Sequence, residues 1–179
     1  MRCLWLSAFG VLVFALPPLG GPPAFLAQEM HQAPPSVPSS RLTIRTYDGK
    51  TLTWNSDDLA NLPHQSIVVF NTHSKANETY SGVPLSSLLG KVGVPLGEQV
   101  RGGLFMTGVV AEGTDGYKVL YSLVEVDPAL HTGDVIVADT LNGQRLGSDG
   151  AFKLVSTEEK RPVRWVRNLT AISVVNIKP

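Results

Sequence analysis

Three turn dipeptides set the grain of this chain. Asp48-Gly49, Asp115-Gly116 and Asn142-Gly143 each border short stretches rich in apolar and β-branched residues. Such Asx-Gly pairs accept the positive φ values that tight turns demand, so they predict strands meeting in hairpins rather than long helices. In RLTIRTYDGKTLTW, Leu42, Ile44 and Tyr47 alternate in part before the turn, and Leu52 and Trp54 resume after it. LFMTGVVAEG and YKVLY flank the second turn, and DVIVADT, the clearest central strand, runs into the third. Ser66 to Asn71, AFKLVS and AISVVNI complete the predicted strands, the first of them as a buried one. The polar stretch that follows Asn71 reads as a loop.

Helices are few and short. Asn55 or Ser56 is placed to cap a brief helix, with Asp57 and Asp58 at its positive end and Pro63 as its stop. Pro84 opens a second, whose Leu85, Leu88, Leu89 and Val92 share one face and whose end is marked by Gly90 and Gly93. Ser122 with Glu125 three positions on gives a capping box for SLVEVDPAL. RPVRWVRNL reads as a short amphipathic piece. The expected class is α+β, a compact mixed-sheet domain dominated by sheet.

The first 40 residues of the chain have a different character. Arg2 followed by the apolar run Leu4 to Leu16, with Ala27 as a small residue at a cleavage point, describes a secretory signal over residues 1 to 27. Residues 28 to 40, rich in Pro and Ser, read as a tether, and the domain is expected over 41 to 179. The expected location is therefore periplasmic or extracellular, with membrane contact only through the signal segment if it is not cleaved. Cys3 is the one cysteine of the sequence and lies inside that signal, so the exported chain has no thiol for a disulfide, a nucleophile or a metal. With 15 basic and 15 acidic residues, the charge excludes the basic footprint of a nucleic-acid binder.

Chemistry-bearing residues are scattered. His31, His64, His73 and His131 include no pair at the two- or four-residue spacing that presents two metal ligands together, and are read as solvated or structurally hydrogen-bonded. There is no Gly-x-Ser-x-Gly elbow. Gly102, Gly103 and the Gly147 to Gly150 stretch precede no helix that could cradle phosphate, and read as turns. One cluster stands out: Lys160, Arg161, Arg164 and Arg167, with Trp165 among them. On a helical turn the three arginines would share a side and could grip a phosphate or carboxylate. A solvated basic face balanced by Glu158 and Glu159 is the alternative reading. Asp115 and Tyr117 could orient a small ligand from a loop rim, or simply make a hairpin turn.

Taken in order, YSGVPLSSLLGKVGV, VVAEGTDGYKVLYSLVEV and DVIVADTLNGQRLGSDGAFKLVSTEEKRPVRWVRNLTAISV resemble the molybdopterin-binding oxidoreductase domain of the sulfite oxidase type. The resemblance covers Leu42 to Ile177. It implies a compact α+β domain on mixed sheets, with molybdenum held by two pterin sulfurs and one protein cysteine. It also implies that basic and polar side chains hold the pterin phosphate, which points to Lys153, Arg161 and Arg164, with Asp115 and Tyr117 at the nearby loop. The cysteine would fall at the strand end before Gly82, where this chain has Phe70, Asn71, Thr72 and His73. Neither Asn nor Thr replaces a soft anionic thiolate.

The expected function is that of a degenerate member, binding an anionic small molecule or an envelope protein partner without molybdenum redox catalysis. The alternative is an active molybdopterin-dependent oxidoreductase with an atypical metal site, to which His73 would supply a nitrogen.

Overall fold

The computed structural model describes residues 38–177. The expected signal and nearly all of the expected tether lie outside the described residues. Among the described residues no helix is long and apolar enough to cross a membrane.

Among the described residues, ten strands form two sheets. β1 (Arg41–Arg45), β2 (Thr51–Asn55), β5 (Thr107–Gly113), β6 (Lys118–Ser122) and β10 (Leu169–Asn176) make the first, in the order β2-β1-β10-β5-β6. Its β1–β10 pair is parallel and the others antiparallel. The second contains β3 (Gln65–Asn71), β4 (Ala76–Pro84), β7 (Val135–Leu141), β8 (Gln144–Arg145) and β9 (Lys153–Ser156). Here β7 is central, paired with β4 on one side and with β8 and β9 on the other. The fold is the sheet-dominated α+β class that the turn pattern predicts.

Both helices follow local rules. Asn55 caps α1 (Ser56–Ala60) by accepting the Asp57 and Asp58 amides at 2.9 Å, and Asp58 reaches back to the Asn55 amide at 3.0 Å. In α2 (Leu85–Lys91), Leu85, Leu88 and Leu89 are fully buried. Each such burial is worth about 1.5–3 kcal/mol. They join the inner faces of both sheets, through Leu42, Val109 and Ile172 of the first and Val83, Val137 and Leu154 of the second, in one large core. A smaller core covers the other face of the second sheet, where Ile67, Val69, Tyr80, Ile136, Ala138 and Val155 meet Leu146 and Trp165. Because the first four residues of β7, Val135 to Ala138, are buried on both faces, they read as an unbroken apolar run before Asp139 and Thr140.

Three expectations are corrected. The polar stretch after Asn71 is mostly strand: the chain turns over residues 72–75, with Lys75 at φ 55°, and returns as β4, paired with β3 from Asn71 opposite Ala76 to Gln65 opposite Gly82. β3 is an edge strand rather than a buried one, since Ile67 and Val69 face the small core while Val68 and Phe70 are 64% and 59% exposed. In LFMTGVVAEG the strand starts only at Thr107, after a 3-10 segment over Gly102–Met106.

Gly82 has a steric reason. At the bulge where β4 shifts register on β7, an added Cβ would run into the Val137 carbonyl and the Ala138 backbone. Ser39, ahead of β1, is already packed: its amide donates to Asn168 Oδ1 at 3.3 Å, and its carbonyl accepts the Ala151 amide at 3.1 Å.

Candidate functional site

The small core is not wholly apolar. Lys153, at the start of β9, projects onto the same face as Val155 and is only 6% exposed. Its Nζ donates to the Tyr80 hydroxyl at 2.9 Å and to Asp149 Oδ2 at 2.7 Å. It also lies 4.8 Å from the Tyr80 ring centre and 5.5 Å from that of Trp165, whose two rings meet edge-on at 5.7 Å. A buried ammonium needs such partners, because an unpaired charge away from water is costly.

The network continues into the β3–β4 hairpin. Tyr80 donates its hydroxyl proton to Glu78 Oε2 at 2.8 Å, and Glu78 also accepts from Ser74 Oγ at 2.8 Å. Asn71 Nδ2 donates to both Glu78 oxygens, at 3.0 and 2.9 Å, while Asn71 Oδ1 accepts the His73 amide at 2.9 Å. Burial alone would raise the Glu78 pKa, but hydrogen bonds from Asn71, Ser74 and Tyr80 hold it below the ordinary carboxylate range. Burial and the Glu78 carboxylate push the Tyr80 phenol well above its usual value, so it acts only as a neutral relay between Lys153 and Glu78.

A cleft of about 620 Å³ opens over Lys153. Asn71 and His73 reach it from the β3–β4 hairpin, Asp115 and Tyr117 from the β5–β6 turn, Asp149 from the loop before β9, and Trp165 and Arg167 from the segment before β10. The β5–β6 wall is laced to that last segment. The Tyr117 amide donates to Asp115 Oδ1 at 2.9 Å, the Thr114 amide to the Asn168 carbonyl at 3.0 Å, and the Tyr117 hydroxyl to the Val163 carbonyl. Gly113 permits this approach: a Cβ there would lie 2.8 Å from both the Arg167 carbonyl and Asp115 Oδ1.

Of the residues singled out in the sequence, Asp115, Tyr117, Lys153 and His73 thus share one cleft. Arg161 is exposed and does not line it. Arg164 is turned away: its Nε donates to Glu159 Oε1 at 2.6 Å and Nη1 to Glu125 Oε1 at 3.0 Å, with the guanidinium 4.4 Å from the Tyr121 ring centre. The helical spacing proposed for the three arginines fails because only Pro162–Arg164 turns, as a single 3-10 step. Val166 then bridges to Leu154, so the chain is extended where Arg167 emerges. Arg167 is therefore the cleft arginine, passed over by the resemblance. Asp149 was equally hidden, since its four-residue spacing from Lys153 spans a loop and a strand rather than a helical turn.

His64 and His131 have structural roles. His64 Nδ1 is 2.7 Å from the Leu62 carbonyl and Nε2 is 3.0 Å from Asp139, while His131 accepts the Gly133 amide at 3.1 Å. The donors at the β3 end do not fit a molybdenum–thiolate centre. Asn71 spends every polar side-chain atom on Glu78 and the His73 amide, and no group of three His, Cys, Asp or Glu side chains among the described residues could hold a metal.

The mixed first sheet, the antiparallel second sheet and the two cores against them make the sheet-dominated α+β fold that the resemblance implies. A particular solved structure shares it: the sulfane dehydrogenase SoxCD from Paracoccus pantotrophus, with a TM-score of 0.60 and 21% identity over 76% of this chain. The match spans 38% of that chain, and at this identity it shows the fold alone. No family model and no curated protein matches the sequence.

Proposed function

We propose that this is an exported binding domain, which holds an anionic small molecule in the Lys153 cleft and carries out no molybdenum redox chemistry. The observation that carries this reading is the convergence of Asp115, Tyr117, Lys153 and Arg167 on one cleft, beside a strand end whose Asn71 is locked to Glu78. A cleft of this volume with a few convergent polar groups has the dimensions of a small-molecule site. Arg167, exposed and in no ion pair among the described residues, supplies the guanidinium for the anion. Envelope proteins carrying an acidic segment are the corresponding macromolecular partners. His73 on the cleft supports the second reading, an atypical metal site with a neutral nitrogen ligand.

The test is production of the full chain in an exporting, molybdopterin-competent host. Expected are recovery from the exported fraction, molybdenum and pterin far below stoichiometric amounts, and loss of anion binding in Arg167→Gln with the fold intact. Stoichiometric molybdenum lost in His73→Ala would establish the second reading, and retention inside the cell would refute export.

A further inference from the structure

The charges of the cleft are not those of a simple anion receptor. Lys153 and Asp149 sit 2.7 Å apart with side chains 7% and 19% exposed, so they neutralise one another. Behind them Glu78 adds a third charge through Tyr80, which leaves the floor with one negative charge in excess. Two further charged groups line the cleft, Asp115 and Arg167. Both are exposed and neither enters an ion pair among the described residues. They rise from the same wall, because the Arg167 carbonyl and Asp115 Oδ1 both abut Gly113. Asp115 Oδ1 is used by the Tyr117 amide, and its second oxygen has no partner among the described residues.

We infer that the cleft takes a zwitterion: a small molecule whose carboxylate or equivalent anion meets Arg167 and whose ammonium meets Asp115. This rests on the reading of the cleft as an anion-binding site and adds a second, opposite charge to its ligand. A bare anion placed on Arg167 would face the Asp115 carboxylate and the negative floor, and a bare cation placed on Asp115 would face Arg167. Only a ligand with both charges satisfies the two groups together, and like-charge juxtaposition weakens binding of the others. Beside these charged groups, the half-exposed Tyr117 ring, Pro162 and the edge of Trp165 line the same cleft and offer apolar surface to a side chain. Neutral α-amino acids with an apolar or aromatic side chain have this distribution of groups.

Titration calorimetry with three ligands of one skeleton separates the possibilities: phenylalanine, 3-phenylpropionate and phenethylamine, followed by the other neutral α-amino acids. The full chain is compared with Asp115→Asn, which keeps the acceptor for the Tyr117 amide, and with Arg167→Gln. The expected result is an amino acid bound about 10- to 100-fold more tightly than either single-charge analogue, the range of one charged hydrogen bond. Asp115→Asn should abolish its advantage over the acid, and Arg167→Gln its advantage over the amine. Acid binding as tight as amino-acid binding, lost in Arg167→Gln, overturns the inference while leaving the anion-binding reading intact. Absence of binding by every amino acid in the panel also overturns it. Failure of the acid and of inorganic phosphate as well would count against the anion site itself.

Discussion

Two regions of this domain solve the same problem differently. In each, a cation rests against an aromatic ring between carboxylates: Lys153 with Tyr80, Trp165, Asp149 and, through Tyr80, Glu78, and Arg164 with Tyr121, Glu125 and Glu159. The Lys153 network lies inside the small core beneath the cleft, whereas Arg164 sits a third exposed on the outside of the segment before β10. In water a guanidinium between two carboxylates exchanges one solvated state for another, so little is gained. Inside the core each partner is obligatory, because removing one leaves a desolvated charge behind. Similar contacts therefore make a structural brace at one place and a stiff, charged cleft floor at the other.

The sharpest way to break the comparison is Lys153→Met, which strands Asp149 and the Tyr80 hydroxyl. A loss of about 3 kcal/mol is expected in urea unfolding, from the cost of orphaning a buried ion pair. Adding Asp149→Asn should recover part of it, and a loss as small as that of a surface pair would erase the distinction. Tyr80→Phe comes next, at about 1–2 kcal/mol, since Glu78 and Lys153 each lose a partner. Tyr121→Phe should cost less, because its hydroxyl bridges no pair of charges: it donates to the Arg164 carbonyl at 3.0 Å and pairs with the Ser156 hydroxyl.

Arg164→Gln is expected to cost about 1 kcal/mol at low salt and less at high salt. The acid limb reports on both regions. Burial opposes ionisation of Glu78 and Glu125, yet hydrogen bonds to Glu78 from Asn71, Ser74 and Tyr80, and to Glu125 from Ser122 and Arg164, hold both below the ordinary range. Their contribution is present above the unfolded glutamate pKa of about 4.3 and is lost as pH falls through the lower folded values. Glu78→Gln and Glu125→Gln should each flatten that limb in denaturation measured at stepped pH.

The smallest effect is expected at His64. Burial disfavours its charged form, but the Asp139 carboxylate and the Leu62 carbonyl outweigh this and raise its pKa. Its stabilisation is complete below the unfolded value of about 6.5 and fades as pH rises through the folded one. His64→Gln should remove this alkaline slope, and a slope unchanged by the substitution would assign it elsewhere.

Much of the fold was legible because its signals are local. Asn55 and Pro84 start helices, Asp115-Gly116 and Asn142-Gly143 turn strands, and the Ser122–Glu125 box forms with its amide bond at 2.7 Å. β4 escaped notice because Asn77, Glu78 and Thr79 are polar, and they are strand residues through pairing with β3 and through the Glu78 network, neither of which is a propensity. In the site, Asp115, Tyr117, Lys153 and His73 were in view, but the choice among arginines was not. That choice depends on whether the backbone coils or extends between Arg161 and Arg167, and this is decided by the Val166 bridge to Leu154 and by the carboxylates that claim Arg164.

The sequence by itself determined the strand-and-turn grain, both helices, the absence of any thiol beyond Cys3 and the residue types at the strand end before Gly82. Those are properties of neighbours along the chain, where φ preference, capping and spacing act over a few residues. Tertiary structure alone decided that Asn71 is closed by Glu78, that Lys153 is buried and already paired, and that Arg167 faces Asp115's cleft while Arg164 does not. A charge acquires its role from what surrounds it in space, and on β4, β9 and the segment before β10 those surroundings come from parts of the chain far apart in sequence.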